Sequence, residues 1–390
     1  MPDTLRIRAY NVRFGDAILI SVPDRGVQRH VLIDVGNVLV KEGGVDTVFK
    51  PVVDDILHEL NGRPLDLYVM THEHLDHVQG LYHAATKSFP AGELKKKLDV
   101  QYAWLTASSA PDYYDRFPEA EKEAKRRKKK LYEEAYARVE QHLAALPRAQ
   151  AKAFDLIMLN NNPRETQQCV DFLRALAPKK RTFYVHRGFD IKGKHPFKEA
   201  KFDIWAPEED ASDYYRSLLP MALVDGQQGA AAGGQAIPPA GVDAGAFHDL
   251  VAARANGFSD AILAIDKAAN NTSVVFALTW RKWTLLFAGD AELGSWRKMH
   301  QQDVFRPVDF LKVSHHGSHN GTPAEELLDD FLPLDAKTKK RAAVISTWDK
   351  TYGGIPHSPT NKKLACRCSL RSMLDTKYKS KLYIDTEFKA

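Results

Sequence analysis

Residues 65–77 read Leu65-Asp66-Leu67-Tyr68-Val69-Met70-Thr71-His72-Glu73-His74-Leu75-Asp76-His77. An apolar, strand-forming run stops at Thr71, and four potential metal ligands then fall within six positions. Neutral imidazole and carboxylate are the donors that Zn²⁺ and similar cations prefer, and a loop leaving a strand can turn several of them to one side. The bland alternative is a solvated polar loop that happens to hold three histidines. The density of ligands at a strand end weighs against it.

One short loop cannot surround two metal ions, so a two-metal hydrolase also needs a bridging carboxylate and a further histidine from elsewhere. The second half of the chain offers both. Asp290 follows the apolar run 284–288 and Gly289, and Ser314-His315-His316-Gly317-Ser318 follows the strand predicted over 309–313. Three separate strand ends thus present candidate ligands.

Working outward, periodicity predicts strands over 5–10, 17–22 and 31–33, the last running into Asp34, and a helix over 48–60. Residues 115–146 are dense in Glu, Lys, Arg and Ala with apolar positions three or four apart, which predicts one long amphipathic helix. Its basic run 125–130 is either a solvated face balanced by nearby glutamates or a phosphate-attracting stripe. A turn at 160–163 precedes a helix over 165–176 and strands over 182–185 and 202–205. Between 226 and 245 the composition collapses to Gly, Ala, Gln and Pro, which predicts a flexible linker. Strands resume over 261–265, 273–278, 283–288, 307–313 and 342–345. This order suits a four-layer αββα sandwich, an α/β fold in one domain over 1–390, with insertions at about 108–160 and 208–258.

With 44% hydrophobic and 27% charged residues in 390, the chain can bury a large core, and a net charge of +5 permits a polyanionic partner without requiring one. Three cysteines, Cys169, Cys366 and Cys368, lack Cys-x-x-Cys spacing, which argues against a disulfide framework or a structural zinc site. The first ten residues carry Asp3, Arg6 and Arg8 rather than the apolar core of a signal peptide, and no segment reaches the roughly 20 apolar residues that span a bilayer. A cytoplasmic protein with no membrane partner is the expectation; the oligomeric state is not legible.

The ordered set of motifs resembles the metallo-β-lactamase superfamily and, within it, the hydrolase domain of ComEC-type competence proteins. Residues 11–20, Asn-Val-Arg-Phe-Gly-Asp-Ala-Ile-Leu-Ile, resemble that branch's opening Asp-Val-Gly-Gln-Gly-Asp-Ala signature. Leu32-Ile33-Asp34-Val35-Gly36, Asn270-Asn271-x-Ser273 and the segment 311–318 are similar to its later motifs. The resemblance implies the metallo-β-lactamase fold. It also implies that His72 and His74 hold one cation, Asp76 and His77 the other, and that Asp290 bridges them. One of His315 and His316 completes the second site, with His316 slightly favoured. Asp34 and Asn271 support the ligands without touching metal. The turn before 273–278 offers Asn270 and Asn271 where the superfamily usually has a third histidine, so the first cation would have the weaker shell. Zn²⁺ and Mn²⁺ both remain open as the two divalent ions.

The remaining candidates are weighed singly. His357 in Gly354-Ile355-Pro356-His357 resembles the family's terminal His-Pro segment, and is either a catalytic proton donor or phosphate contact, or a plain loop histidine. Lys312 and His319 lie beside the fourth ligand loop as substrate contacts or as polar surface. His186 and His195 read as structural. Two cations about 3.5–4 Å apart lower the pKa of a shared water toward 7, with Asp76 or Asp290 orienting the resulting nucleophile. The leading expectation is a phosphodiesterase or nuclease acting on nucleic acid or a nucleotide. An ester, lactone or thioester hydrolase is the alternative within catalysis, and a catalytically weak metal-binding sensor the alternative outside it.

Overall fold

The structure is a computed structural model and describes residues 3–38, 44–118, 121–122, 160, 162–211, 214, 269–348 and 354–390. Among the described residues thirteen strands form two sheets. In chain order these begin with β1 (Thr4–Tyr10), β2 (Ala17–Asp24), β3 (Val27–Val35), β4 (Leu67–Met70), β5 (Ala103–Thr106), β6 (Thr182–Val185) and β7 (Ala200–Ala206). They continue with β8 (Val275–Trp280), β9 (Trp283–Phe287), β10 (Phe310–Lys312), β11 (Ala342–Ile345), β12 (Ser369–Ser372) and β13 (Tyr383–Lys389). One sheet runs β13-β1-β2-β3-β4-β5-β6 and the other β12-β11-β10-β9-β8-β7.

Both sheets are built alike. An antiparallel meander, β1-β2-β3 or β7-β8-β9, continues into parallel strands, β4-β5-β6 or β10-β11-β12. The parallel crossovers need long connections, and helices provide them. These are α1 (Lys50–Leu60), α2 (Leu75–His83), α3 (Glu93–Leu98) and α4 (Pro163–Arg174) on one side, and α5 (Leu293–Gln301), α6 (Glu325–Phe331) and α7 (Ser358–Arg367) on the other.

Strand residues alternate between two cores because successive side chains leave opposite faces. Val31, Ile33, Leu67 and Val69 join Phe276, Leu285, Phe287 and Phe310 between the sheets. Their neighbours Leu32, Tyr68 and Met70 pack outward against Val52, Ile56, Val78 and Leu173 of the helices. Leu286 and Leu311 do the same against Trp296, Phe331 and Leu364. The layers are therefore helix, sheet, sheet, helix, the αββα sandwich that the resemblance implies. Strands covered on both faces explain the near-continuous apolar runs in the sequence.

Several boundaries differ from expectation. The helix expected from 115 does not start there: Tyr113–Arg116 is a tight 3₁₀ turn and Phe117 is extended. The rest of that helix from 123 onward, with the basic run 125–130, lies outside the described residues, as do the linker 226–245 and the strand expected over 261–265. The strand expected over 307–313 shortens to β10. Short β5, the polar edge strand β12 and terminal β13 were not anticipated.

Candidate metal centre

The histidine loop is short because α2 begins inside it. β4 ends at Met70, His74 occupies the helix N-cap, and Asp76 and His77 sit in the first turn. Two contacts fix that turn. The Asp76 backbone N–H donates to Asn160 Oδ1 at 3.0 Å, and its carbonyl accepts from the Asp16 N–H at 3.1 Å. Gly36 lies flat beneath it, where any Cβ would collide with the Asp76 carbonyl carbon and the His77 nitrogen.

Asp290 and His316 arrive from the second sheet at the ends of β9 and β10. Gly289, at φ +51°, turns the chain so that the Asp290 N–H donates to Ser273 Oγ at 3.0 Å. The His315–His316 segment is left-handed at both residues, φ 47° and 53°, which sends the two rings in different directions. His316 Nε2 reaches Asp76 Oδ2 at 3.1 Å and Asp290 Oδ2 at 3.2 Å. His77 Nε2 lies 3.2 Å from Asp290 Oδ2 and 3.8 Å from Asp76 Oδ2. One ligand atom from each of these four buried residues falls within 4.8 Å of every other.

The outer nitrogens are already engaged. His316 Nδ1 donates to the Ser346 carbonyl at 2.7 Å, and His77 Nδ1 lies 2.8 Å from Asp34 Oδ2. Since a carbonyl only accepts, His316 keeps Nε2 for the centre. Asp34 also accepts from the Thr71 backbone N–H at 2.8 Å and from its hydroxyl at 2.6 Å.

Charge is balanced within the cluster. Burial raises Asp76 and Asp290, but His77 and His316 outweigh it, holding Asp76 at about 2 and Asp290 well below the usual carboxylate range. Burial likewise disfavours the charged imidazoles, yet Asp290 and Asp76 lift His77 far above its ordinary value and His316 to about 9. Without metal the two protons neutralise the two carboxylates, and a divalent ion is the chemical replacement for that pair of protons.

Lys312, read as a substrate contact or as polar surface, is instead 2% exposed. Its ammonium pairs with Asp16 and lies 3.5 Å from Asp290 Oδ1, so it acts on the carboxylate rather than on bulk ligand. Asp16 also accepts from the Ser346 hydroxyl. In the sequence Asp16 stands out only as part of the 11–17 signature.

His72 and His74 pack beside the cluster, with ring centroids 4.7 Å apart and His72 4.2 Å from His77. His72 Nε2 is buried without a hydrogen-bond partner. Burial, His77 and His74 push His72 well down, so it is a neutral lone-pair donor. Among the described residues neither His72 nor His74 joins a group of three or more such ligands within 4.8 Å of one another. His315 turns away to Glu292, with Nδ1 3.3 Å from Oε1, and Asn270 Nδ2 donates to the same oxygen at 3.0 Å. Buried Glu292 was not foreseen. Asn271 accepts the Ser295 N–H at 2.9 Å, anchoring α5.

His319 and His357 meet edge to face at 5.0 Å beside the 315–318 loop. The His357 N–H donates to the Gly317 carbonyl at 2.8 Å, and its Nδ1 lies 2.9 Å from Thr360 Oγ1. His195 packs among Trp104, Phe197 and Phe202, and His186 lies 2.8 Å from the Arg187 carbonyl; neither reaches the centre.

Two carboxylates and two correctly oriented imidazoles, all buried, fit a divalent cation, and the orphaned His72 Nε2 and Asp76 Oδ1 await an electrophile. No helix among the described residues is long and apolar enough to cross a membrane.

No family model matches the chain, and no curated protein matches it by sequence. Among solved structures it is similar to the metallo-β-lactamase fold protein YhfI from Bacillus subtilis, at 8% identity over 98% of this chain and 100% of that one, with a TM-score of 0.38. It is also similar to a new diphosphatase from the PhnP family, at 12% identity over 99% and 100%, with a TM-score of 0.36. Scores this low carry no argument about chemistry.

Proposed function

We propose that the chain is a metal-dependent hydrolase of the metallo-β-lactamase type that cleaves a phosphodiester. The observation that carries this reading is the convergence of Asp76, His77, Asp290 and His316 from both sheets on one point. Asp76, His77 and His316 would hold one cation, His72 and His74 a second, and Asp290 would bridge them. Bound Zn²⁺ or Mn²⁺ would supply Lewis-acid stabilisation of charge developing on phosphoryl oxygens, and would acidify water.

The chain's own groups do the rest. Asp34 and the Ser346 carbonyl hold the imidazoles at fixed angles, so no reorganisation is needed when charge builds. Lys312 holds Asp290 from behind. Asp76 Oδ1, buried without a hydrogen-bond partner, would accept a hydrogen bond from the attacking water and so orient it. His357, gripped through Nδ1 by Thr360, would offer Nε2 to the leaving oxygen at the rim. The motif order favours the ComEC-type branch within one domain carrying two insertions, and a nucleotide or nucleic-acid substrate in a cytoplasmic setting.

The test is to incubate purified protein with Mn²⁺ or Zn²⁺ and bis(4-nitrophenyl) phosphate, single-stranded DNA and a thioester. Metal-dependent release of nitrophenol or DNA cleavage supports the reading. Thioester turnover alone would move the chemistry to carbonyl substrates, and no turnover with retained metal would make the protein a sensor.

A further inference from the structure

We infer that Arg13 grips a phosphate oxygen of the substrate at the mouth of the metal centre. This rests on the phosphodiester reading and adds to it a residue of this chain that determines binding. The guanidinium lies over the Trp348 ring, 4.0 Å from its centroid. Among the described residues its side chain has no ion-pair partner, and its Nε is buried with no hydrogen-bond partner. A guanidinium stacked on an indole keeps its N–H edge available for a bidentate anion, and the stacking leaves little rotamer freedom to lose on binding.

The position is next to the chemistry. Phe14, the following residue, packs its ring 4.3 Å from that of His316. Asp16, three residues on, donates its N–H to the Asp76 carbonyl. Trp348 lies two residues beyond Ser346, whose carbonyl holds His316 Nδ1. The cation and its aromatic support therefore come from the two loops that brace His316, one from each sheet. The backbone at Arg13 is left-handed, φ 72°, a strained conformation for a non-glycine residue that is found disproportionately at functional positions. The signature that residues 11–17 resemble has glycine at this position. Here an arginine occupies it at positive φ.

An anion is the chemistry this arrangement takes. Lys312, beside Asp290, is buried and neutralised by Asp16, whereas the Arg13 guanidinium has no ion-pair partner among the described residues and so carries an uncompensated charge. A phosphate that meets the cations through one oxygen could accept the guanidinium edge through another.

The experiment compares wild type with R13A, R13K and W348A, each loaded with Mn²⁺. It measures KM and kcat for bis(4-nitrophenyl) phosphate, inhibition by inorganic phosphate, calorimetric phosphate binding, and metal content. The expected result for R13A is a rise in KM and a weakening of phosphate binding of about tenfold or more, with kcat within about threefold and metal content unchanged. R13K should fall between, since an ammonium lacks the planar fork. Unchanged phosphate binding in R13A would overturn the proposal. So would loss of metal in parallel with loss of phosphate, which would make Arg13 a support of the loop. If no diester is turned over, the hydrolase reading fails separately, and calorimetric phosphate binding still decides the role of Arg13.

Discussion

Asp34 Oδ2 stands 2.8 Å from His77 Nδ1, so a carboxylate at the end of β3 sets the direction of an imidazole that follows β4. The same carboxylate holds the Thr71 backbone and hydroxyl, so it orients the start of the ligand loop as well as one ligand. Asp34→Asn keeps the shape and removes the charge. We expect metal affinity to fall by roughly 10–100-fold, read by competition with a chromogenic chelator, with the circular dichroism spectrum unchanged. Undiminished affinity would mean that His77 is oriented by something else.

Asp290 faces His77, His316 and Lys312 at once. Asp290→Ala removes the shared counter-charge and should lower hydrolysis by on the order of 100-fold or more. The metal-free protein should also lose roughly 3–5 kcal/mol of stability in urea titration, because buried cations are left uncompensated. Full activity in this variant would place the bridging group elsewhere.

The two halves of the centre are unequal. Asp76, His77, Asp290 and His316 make a complete four-ligand set, whereas His72 and His74 lack a comparable third group among the described residues. Titration of metal-free protein should therefore give one tight and one weaker cation, with the weaker lost on dialysis and measured by elemental analysis. Two cations of equal affinity would contradict the geometry.

The convergence of these side chains was legible because the candidate ligands follow apolar strands, and a strand end is visible in sequence. The helix boundary inside the histidine loop was missed although Leu75, Val78, Leu81 and Tyr82 recur at helical spacing, because the ligand run 72–77 overlaps its first turn. The choice between His315 and His316 turned on left-handed backbone angles that composition does not encode. Glu292, Asn160 and Ser346 carry no local signal at all. Each matters only because the fold brings it to a residue far away in the chain, as Asn160 is brought to Asp76. Strand β13 could have been read: Ile384, Thr386 and Phe388 are buried while Asp385 and Glu387 face outward, a period of two.

Acid sensitivity should have a source outside the metal centre. His30 is buried, its Nδ1 3.2 Å from Ser21 Oγ, and burial, with Arg63 and Arg6, lowers it to about 4. Its folded value lies below the unfolded one, near 6.5, so the unfolded chain binds the extra proton between them. The stabilisation is present above pH 6.5 and is lost as pH falls to about 4, by on the order of 3 kcal/mol. His30→Gln should flatten urea stability over that window. The same slope in both proteins would show that His30 plays no part.

Gly36 links the backbone of one strand end to the candidate metal ligands after the next. Its missing side chain lets the Asp76 carbonyl and the His77 amide sit directly on the chain after β3, and its own N–H donates to the Asp16 carbonyl at 2.9 Å. A methyl group there meets backbone on the facing side, which cannot swing away as a flexible side chain would. Either the turn holding Asp76 and His77 rises, or the Gly36 segment and the 15–16 loop retreat. Gly36→Ala should cost about 3 kcal/mol or more, at the upper end for overpacking. It should also weaken metal binding disproportionately, because a shift of a few tenths of an ångström displaces two ligands together. Comparison with Gly62→Ala, at an exposed turn where a Cβ meets nothing within 4 Å, separates the two effects. Gly62→Ala should lose stability through its left-handed φ of 72° but keep wild-type metal affinity. Equal metal affinity in both variants would show that the contact beneath Asp76 does not set the geometry of the centre.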